Sequence, residues 1–330
     1  MKISVIIKTL NEEKHIEECI SSVISATNGL DREIILVDSV SKDNTVKLAY
    51  KYPIKIITLK NKDDARCGIG HQVGYMMSKG ELIYVLDGDM ITNKDFIKRT
   101  IPYFEIDQNL GGITGQMEDI KDERYHTKTT HVLKTQPIKS SEVDAFNGFG
   151  IYRRSAIEKI GFLTNPYFYS HEDYDIGFRL KKKGYNLKKI EIPLITHYRH
   201  TDKNPMSVLV YKFKKKYFLG NGQVLRYYLN NKSILIKHMK KLKIEIVTAI
   251  WQTGLLLSLL SLIYTNTIFI AYIILSLIAY CGVLAYKKEY KQFLYSIIGW
   301  NFGGLGLIFG FILPKKDVSG LKPEIRVIKF

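Results

Sequence analysis

The first two hundred residues alternate short apolar runs with amphipathic segments. The four runs are nearly continuous in apolar residues, which is typical of strands buried on both faces. They are ISVIIK (3–8), EIILVD (33–38), IKIITL (54–59) and ELIYVLD (81–87). The segments between them have the 3.6-residue period of helices, and the alternation predicts a mostly parallel α/β sheet with helices on both faces.

Two of the intervening segments predict helices with recognisable ends. Asn11-Glu12-Glu13 opens the first, in which Ile16, Cys19, Ile20 and Val23 share one face. Residues 64–79 predict another helix, with Gly80 as its C-terminal glycine cap.

The last third of the chain has a different pattern. Residues 246–286 contain no charged side chain, and residues 292–314 form a second uncharged run. A membrane-spanning helix needs roughly 20 apolar residues. The first run therefore predicts two spans, at about 246–264 and 267–286. The glycine-rich second run fits either a third span or a re-entrant segment, and the sequence leaves both open.

The positive charge lies beside these apolar runs. The formal net charge is +17, and residues 203–243 contain eleven Lys or Arg and no Asp or Glu. Such a block next to predicted spans indicates a cytoplasmic flank that faces anionic lipid, and it disfavours nucleic acid as the partner. We therefore expect a multi-pass protein of the cell membrane with a catalytic domain at 1–202, a basic juxtamembrane segment at 203–243 and a transmembrane region at 244–330.

The amino-terminal segment and the cysteines add two expectations. The chain begins with a strand-like run instead of a signal region. Cys19, Cys67 and Cys281 have no metal-ligand spacing and form no disulfide framework, which suits a reducing compartment.

Polar side chains follow three of the predicted strands directly. Thr9, Asp38 and the pair Asp87/Asp89 stand at strand ends, where ligands of such sheets bind. Asp38 has two equally good interpretations. It is either a turn or helix-cap residue, or the acceptor of a hydrogen bond from the ring N–H of a nucleotide base. The second interpretation favours UDP- or GDP-linked donors, because cytosine and adenine lack that N–H.

Asp87-Gly88-Asp89 interrupts an apolar strand with two carboxylates. Residues i and i+2 of an extended chain point to one side, and the glycine between them lets a ligand approach the backbone. Carboxylates suit Mg²⁺ or Mn²⁺ that also binds substrate phosphates. The same tripeptide is common in surface turns, but its place after a buried strand favours a metal that carries a diphosphate.

A third acidic cluster lies in Ser170-His171-Glu172-Asp173-Tyr174-Asp175. The following IGFRLKKKG predicts that these acids occupy the first turn of a helix ending at Gly184. There they either complement the helix dipole or supply a general base. Their crowding should raise at least one pKa through like-charge repulsion.

The ordered motifs resemble family two of the glycosyltransferases. They are LNEE, VDSVSKDNT, GHQVGYMMSKGELIYVLDGDM, FNGFGIYRRSAIEKIG and SHEDYDIGFRLKKKGY, and the resemblance covers about residues 2–200. It implies the glycosyltransferase-A fold, a Rossmann-like nucleotide-diphospho-sugar transferase architecture, and transfer of a sugar from a nucleotide-sugar, usually with inversion.

The resemblance also implies roles for particular residues. Asp173 matches the catalytic base, and Glu172 with Gly148 lies on the acceptor side. The donor side comprises Thr9, Asn11, Glu12, Asp38, Arg66, Asp87 and Gly88. Asp89 and Asp87 match the metal motif, and His197 resembles an additional metal ligand of some relatives, although a histidine after a strand is more often structural.

The chain also departs from the family pattern. Gly70-His71-Gln72 stands where many members have Ala-Arg-Asn, so Arg66, on the same helical pattern, is the candidate replacement for the arginine. The sequence has no Gln-x-x-Arg-Trp motif, which disfavours a processive enzyme.

We therefore expect a membrane-bound, inverting, Mn²⁺- or Mg²⁺-dependent glycosyltransferase acting on a lipid-linked or polysaccharide acceptor. Two alternatives stay open. One is a polyprenyl-phosphate sugar synthase, whose acceptor phosphate needs no general base. The other is a non-catalytic membrane scaffold that binds nucleotide-sugar, which the set of intact acids disfavours.

Overall fold

The computed structural model describes residues 1–61, 66, 68–121, 133–134, 140–146, 148–199 and 204–330. Cys67 and the predicted boundary at 202/203 lie outside these residues. The chain forms two compact units. The first comprises residues 1–168, 172–201 and 317–330, and the second comprises residues 169–171 and 202–316.

The first unit holds eleven strands and six helices among the described residues. The strands are β1 (Ile3–Thr9), β2 (Arg32–Asp38), β3 (Lys55–Leu59), β4 (Leu82–Asp87), β5 (Met90–Thr92), β6 (Leu110–Lys121), β7 (Leu133–Lys134), β8 (Ser141–Glu142), β9 (Gly150–Arg153), β10 (Asn186–Arg199) and β11 (Ile325–Lys329). The helices are α1 (Ile16–Ala26), α2 (Thr45–Ala49), α3 (Ile69–Met76), α4 (Phe96–Ile106), α5 (Arg154–Ile160) and α6 (Glu172–Lys182).

All strands belong to one sheet with the order β11-β3-β2-β1-β4-β9-β6-β10-β5; β7 pairs with β6, and β8 with β10. Strands β3, β2, β1 and β4 are mutually parallel, as the sequence predicts. The other half is mixed, because β9 runs antiparallel to both β4 and β6 while β6 and β10 are parallel. The fold is therefore the expected glycosyltransferase-A-like sheet, with more antiparallel pairing than the apolar runs alone suggest.

Helices cover both faces of this sheet. On one face, Ile3, Val5 and Ile7 of β1 pack in the same core as Ile16 and Ile20 of α1. On the other face, the alternate residue Ile6 joins a second core with residues of α3, α5 and α6. Alternate side chains of β1 thus pack into the cores on opposite faces of the sheet. For this reason the sequence of the strand is apolar without a break.

Helix α3 is shorter than predicted, and Gly80 does not cap it. The helix runs over Ile69–Met76, and its C-cap residue is Met77. Arg66 therefore precedes the helix instead of sharing its pattern. Gly80 lies where a Cβ would approach the backbone nitrogen of Ser4 to 2.5 Å, so its lack of a side chain permits close strand packing.

The C-terminal tail belongs to the first unit. Strand β11 pairs antiparallel with β3 and places Val327 opposite Ile57. Lys329 Nζ donates hydrogen bonds to the carbonyl oxygens of Tyr50 and Tyr52 at 2.8 and 2.7 Å. The sequence predicted that residues 325–329 belong to the membrane region, because a short basic segment gives no sign of a distant strand partner.

The second unit is helical. Its helices are α7 (Pro205–Lys214), α8 (Leu219–Tyr227), α9 (Lys232–Lys241), α10 (Lys243–Ser261), α11 (Thr267–Lys287) and α12 (Tyr290–Ile312). By length and composition, α10, α11 and α12 could each cross a membrane. The third apolar run is one continuous helix, which is a property that the sequence did not decide.

Candidate active site

The carboxyl ends of β1, β2 and β4 bring polar side chains to one edge of the sheet. The strand register aligns Thr9 of β1 with Asp38 of β2, and Lys8 of β1 with Asp87 of β4. The edge therefore contains the strand-end residues that the sequence predicts, together with a lysine that it did not identify.

Asp38 is buried at the end of β2, with 1% of its surface exposed. Its carboxylate accepts hydrogen bonds from the hydroxyl groups of Thr9, Ser41 and Thr58 and from the backbone N–H of Ser41. An ionised carboxylate has about four lone-pair directions. A base N–H at Asp38 would therefore replace one of the three hydroxyl donors, each of which can rotate away.

The loops after β1 and β2 are locked together by Asn11 and Glu12. Asn11, with φ of 60°, accepts a hydrogen bond from Lys42 N through Oδ1 and donates its own N–H to Ser41 Oγ, both at 2.8 Å. The backbone N–H of Glu12 donates to Thr45 Oγ1 at 2.8 Å. These two predicted donor-side residues hold the loop that carries Asp38.

Asp87 is paired with two basic side chains from the protein itself. Lys8 Nζ lies 3.1 Å from Asp87 Oδ1, and His71 Nε2 lies 3.5 Å from the same oxygen. Burial acts to raise the pKa of Asp87, but Lys8 and then His71 outweigh it, and the net pKa lies below the usual value. The positive partner of this carboxylate is therefore Lys8, its neighbour in the strand register.

His71 is neutral at physiological pH. It is buried in α3, and burial with the nearby Lys8 ammonium lowers its pKa to about 4. Its Nε2 lies 3.3 Å from the carbonyl oxygen of Leu86 as well as 3.5 Å from Asp87. Because both neighbours accept hydrogen bonds, we assign the proton to Nε2. His71 thus orients the end of β4 without adding charge.

Gly88 is required by the packing of the protein on itself. A Cβ at this position would lie 2.7 Å from Thr9 Cγ2 and 3.1 Å from Glu12 Cγ. The sequence attributed this glycine to the approach of a ligand, whereas here the neighbouring loop fills that space.

Asp89 and His197 form a second polar pair at the edge. His197 Nε2 lies 3.3 Å from Asp89 Oδ2. Strand pairing fixes this contact: His197 is opposite Met90, and Tyr198 N donates to Asp89 O at 3.0 Å. A carboxylate oxygen and an imidazole nitrogen at this separation suit Mn²⁺, which accepts both ligand types.

No group of three or more His, Cys, Asp or Glu side chains converges as a metal site within the part of the chain that the structure describes. The pair of Asp89 and His197 alone fits an ion that takes its other ligands from phosphate and water, the usual arrangement for Mg²⁺ and Mn²⁺.

The three acids of α6 have separate environments. Helix α6 begins at Glu172 and ends before Gly184, whose φ is 83°, as the sequence predicts. Asp175 is buried and paired with the Arg179 guanidinium at 2.7 Å, so it stabilises the helix. Glu172 and Asp173 remain partly exposed in the first turn.

Glu172 has the raised pKa that the acid cluster predicts, but mainly for another reason. Burial is the largest cause, and the like charges of Asp87 and Asp175 add to it while Lys8 opposes them. This mutual influence places Glu172 in the electrostatic neighbourhood of Lys8 and Asp87. Asp173 lies near Tyr152 of β9, whose hydroxyl pKa is raised by burial and by this carboxylate.

The remaining predicted residues are less constrained. Arg66 lies in the segment before α3, where its carbonyl oxygen accepts a hydrogen bond from Ile69 N. Gly148 has φ of 87° with open space where a Cβ would be. Their roles stay predictions.

The structure brings two further residues to the site that were not predicted from the sequence. Lys8 ends an apolar strand, and a lysine there is a signal of the same kind as Asp38. His71 appeared only as a departure from the family pattern, because its contact with Asp87 depends on how α3 packs on β1 and β4.

Comparisons with known proteins agree with this geometry. Residues 4–161 match the model of the family described as "Glycosyl transferase family 2". A dolichol-phosphate mannosyltransferase of Pyrococcus furiosus is 33% identical over 105 residues, covering 31% of this chain and 29% of the relative. The poly(ribitol-phosphate) beta-N-acetylglucosaminyltransferase TarP of Staphylococcus aureus is 26% identical over 199 residues, or 57% of this chain and 60% of TarP.

A poly-beta-1,6-N-acetyl-D-glucosamine synthase of S. aureus is 24% identical over 201 residues, covering 56% of this chain and 47% of the synthase. The chain thus spans between 29% and 60% of the length of these three curated relatives.

Solved structures share the fold. Crystal structures of S. aureus TarS 1-349, alone and in complex with UDP-GlcNAc, both align with a TM-score of 0.51. The structure without ligand is 17% identical, with 68% of this chain and 66% of TarS covered. The complex is 18% identical, with 66% and 67% covered.

The family match spans β1 to α5 and includes Asp38, Asp87 and Asp89, and the structural likeness independently gives the same fold. Residues 4–161 therefore match glycosyl transferase family 2 and lie in a sheet of the glycosyltransferase-A-like fold, and three long apolar helices follow among the described residues.

Proposed function

We propose that this protein is a membrane-attached, metal-dependent, inverting glycosyltransferase that moves a sugar from a UDP- or GDP-linked donor to a lipid-linked or polysaccharide acceptor. One observation carries the proposal. Asp89, just after β4, pairs with His197 of β10, and Glu172 in the first turn of α6 is electrostatically coupled to Lys8 and Asp87 at the end of β1 and β4.

The donor would bind over the ends of β1, β2 and β4. Asp38 would accept the ring N–H of a uracil or guanine base in place of one hydroxyl donor. The UDP-GlcNAc complex of TarS supports the uridine form, since that protein shares the fold. The names of the relatives favour acceptors on polysaccharides or polyprenyl phosphates.

Asp89 and His197 would hold a divalent ion, and Asp87 would keep Lys8 directed toward the diphosphate. When bound, such an ion neutralises the negative charge that develops on the departing diphosphate. The ammonium group of Lys8 adds a fixed positive charge on the same side. This charge lowers the electrostatic cost of bringing an anionic donor close to the carboxylates of this edge.

Asp173 would act as the general base. As the acceptor oxygen bonds to the anomeric carbon, its proton passes to the Asp173 carboxylate, and the bond from that carbon to the diphosphate oxygen breaks. Attack opposite the leaving group inverts the anomeric centre. Glu172, with its raised pKa, would donate or accept a hydrogen bond with the acceptor.

A second candidate is a polyprenyl-phosphate sugar synthase. The match to the dolichol-phosphate mannosyltransferase favours it specifically. In that reaction the acceptor phosphate is already anionic, so Asp173 has no proton to remove.

The deciding experiment measures transfer by the full-length protein in detergent, with UDP- and GDP-sugars and either polyprenyl phosphate or lipid-linked glycan as acceptor. We expect activity that EDTA abolishes and Mn²⁺ or Mg²⁺ restores. Asp89→Asn should lose transfer, whereas the exposed control Asp95→Asn should keep it. Full activity of metal-stripped protein in EDTA would refute the metal assignment.

A further inference from the structure

The chain leaves the sheet, passes through the apolar helices and returns to the same sheet. Strand β11 pairs with β3 over Ile325–Lys329, and Lys60 N donates to Glu324 O at 2.9 Å. A strand cannot pair across a bilayer. If the protein spans a membrane, as the proposed function holds, the number of crossings between β10 and β11 is therefore even.

Among the described residues, three helices are long enough to cross, so at least one of them does not. The link from α12 to β11, residues 313–324, has only twelve residues and carries three lysines. It cannot supply the missing crossing, because an extended chain in a core about 30 Å thick would leave its backbone polar groups without partners.

The charges of the links identify the helix that stays on one side. The link between α10 and α11, residues 262–266, has no charged residue. The link between α11 and α12 is bounded by Lys287, Lys288 and Lys291. Lysine-rich links stay on the cytoplasmic side of the membrane, whereas uncharged links are translocated to the other side. Helices α10 and α11 therefore cross, and α12 begins on the side that holds the sheet.

Helix α12 lies beside α7 and α8 along much of its length, and its middle also packs on the N-terminal half of α10, where Thr248 Oγ1 donates to Trp300 O at 3.0 Å. Phe302 stacks on Phe213 at 4.2 Å between ring centroids and lies 5.8 Å from Phe218. A Cβ on Gly306 would be 2.5 Å from Phe218 Cβ, and Gly310 faces the backbone of Gly222.

The contacts with α8 continue to the C-terminal end of α12. The guanidinium of Arg226 in α8 lies over the Phe311 ring, with 5.6 Å to its centroid. Lys315 Nζ then donates to the carbonyl oxygen of Tyr227 at 3.2 Å. A helix that crossed the bilayer would draw Lys212 and Lys214 of α7 and Arg226 of α8 toward the hydrocarbon, at a cost of about 2.5–3.5 kcal/mol for each charged residue at its centre.

We infer that α12 is an interfacial helix: it lies on α7 and α8 at the membrane surface on the side where β10 ends and β11 begins, and it inserts its outer face between the lipid headgroups. That face contains Leu305, Phe309 and Ile312, which are exposed at the spacing of one helix face. The helix itself has no charged side chain from Gln292 to Ile312, so Arg226 and Lys315 beside it supply the basic side that an interfacial helix needs. The protein then has two crossings, and its tail returns directly to the sheet.

Single cysteines placed in the full chain test this arrangement. Cys19, Cys67 and Cys281 are first replaced by alanine, and a cysteine is introduced at Asn266, Glu289 or Ser319, all of which are exposed. A membrane-impermeant maleimide is applied to intact cells and to inverted vesicles. We expect Asn266→Cys to react only in intact cells, and Glu289→Cys and Ser319→Cys only in inverted vesicles.

Labelling of Ser319→Cys in intact cells together with Asn266→Cys would overturn the inference while leaving membrane attachment intact. Extraction of the whole protein by carbonate, with Asn266→Cys labelled only in inverted vesicles, would refute membrane attachment itself and the inference with it. The cysteine-free parent is the control for background labelling, and unfolding temperatures within a few degrees of wild type show that each variant is folded.

Discussion

The two units of this protein bury opposite kinds of residue. In the first unit, isoleucine, valine and leucine of the sheet are inside, as Ile3, Ile6 and Leu86 show, and none of them is exposed. In the helices α10 and α11, most leucines and isoleucines lie outside. Leu277 is 58% exposed, while Ser258 and Ser276 are buried.

The inverted pattern indicates that the two units have different solvents. Water-soluble domains rarely expose so much contiguous apolar surface. In lipid, small residues let helices approach closely, and polar side chains join them, as the Tyr272 hydroxyl of α11 does by donating to the carbonyl oxygen of Trp251 in α10. In the first unit the buried polar residues include Asp38 and Asp89, which lie at one edge of the sheet and form the candidate site instead of joining helices.

The largest expected effect concerns the acids at that edge. If Asp173 removes the acceptor proton, Asp173→Asn should reduce transfer by about 10²–10⁴-fold, since that is the usual contribution of a positioned base. Donor binding and the unfolding temperature should survive, because the amide is nearly isosteric. Transfer rates and donor affinity are measured together.

Glu172→Gln, in the same helical turn, is the matched control and should cost less. Near-normal transfer by Asp173→Asn with the true acceptor would contradict the role of Asp173 as the general base. It would favour the reaction in which a polyprenyl phosphate is the acceptor.

A matched pair of arginine substitutions tests the difference in solvent. Leu277→Arg lies at the centre of α11, where replacing leucine by arginine costs about 3–4 kcal/mol of insertion free energy. We expect a large loss of carbonate-resistant protein. Ile106→Arg, at the 84% exposed end of α4 in the first unit, should change stability by less than about 0.5 kcal/mol. Equal tolerance of both substitutions would contradict the comparison.

The pair of Lys8 and Asp87 tests how the first unit supports its buried charges. Both side chains are partly exposed, so Lys8→Met should lower the free energy of unfolding by only about 1 kcal/mol. The double variant Lys8→Met/Asp87→Asn should lose less than the sum of the single variants, since no unpaired carboxylate remains. Strict additivity in urea unfolding would show that the contact contributes nothing.

The smallest effect is the pH dependence of Glu172. Because its pKa is raised in the folded protein, the native state binds more protons than the unfolded state just above the usual glutamate pKa. Stability is therefore lost as pH rises from that value through the folded pKa. Glu172→Gln should be the more stable protein at pH 7, and the difference should vanish as pH falls below about 4. A difference independent of pH would exclude this cause.

The sequence predicted the parallel half of the sheet because β1 to β4 are apolar runs buried on both faces, and that pattern is local. It also predicted that Asp38 and Asp87 stand at the ends of buried strands, which the structure confirms, while their roles and that of Asp89 stay predictions. Two predicted features were wrong for a physical reason. The extent of α3 and the cap at Gly80 depend on how the chain passes over Ser4, which no periodicity records.

Contacts between segments that are distant in the sequence could not be predicted from local patterns of apolar and polar residues. Lys8 meets Asp87 because β1 and β4 are neighbours, and β11 meets β3 across more than 260 residues. The third apolar segment illustrates the same limit, since its relation to α7 and α8 comes from tertiary packing instead of hydropathy.

The central claim is that the sheet edge binds a nucleoside diphosphate through a divalent ion. Its most direct test is the unfolding temperature of the full-length protein in detergent with UDP, GDP or CDP, each in Mn²⁺ or in EDTA. A ligand at 100 times its Kd stabilises the native state by about 2.7 kcal/mol. We predict an increase with UDP or GDP in Mn²⁺, little increase with CDP or in EDTA, and none for Asp89→Asn. Equal stabilisation by CDP, or full stabilisation in EDTA, would contradict the account.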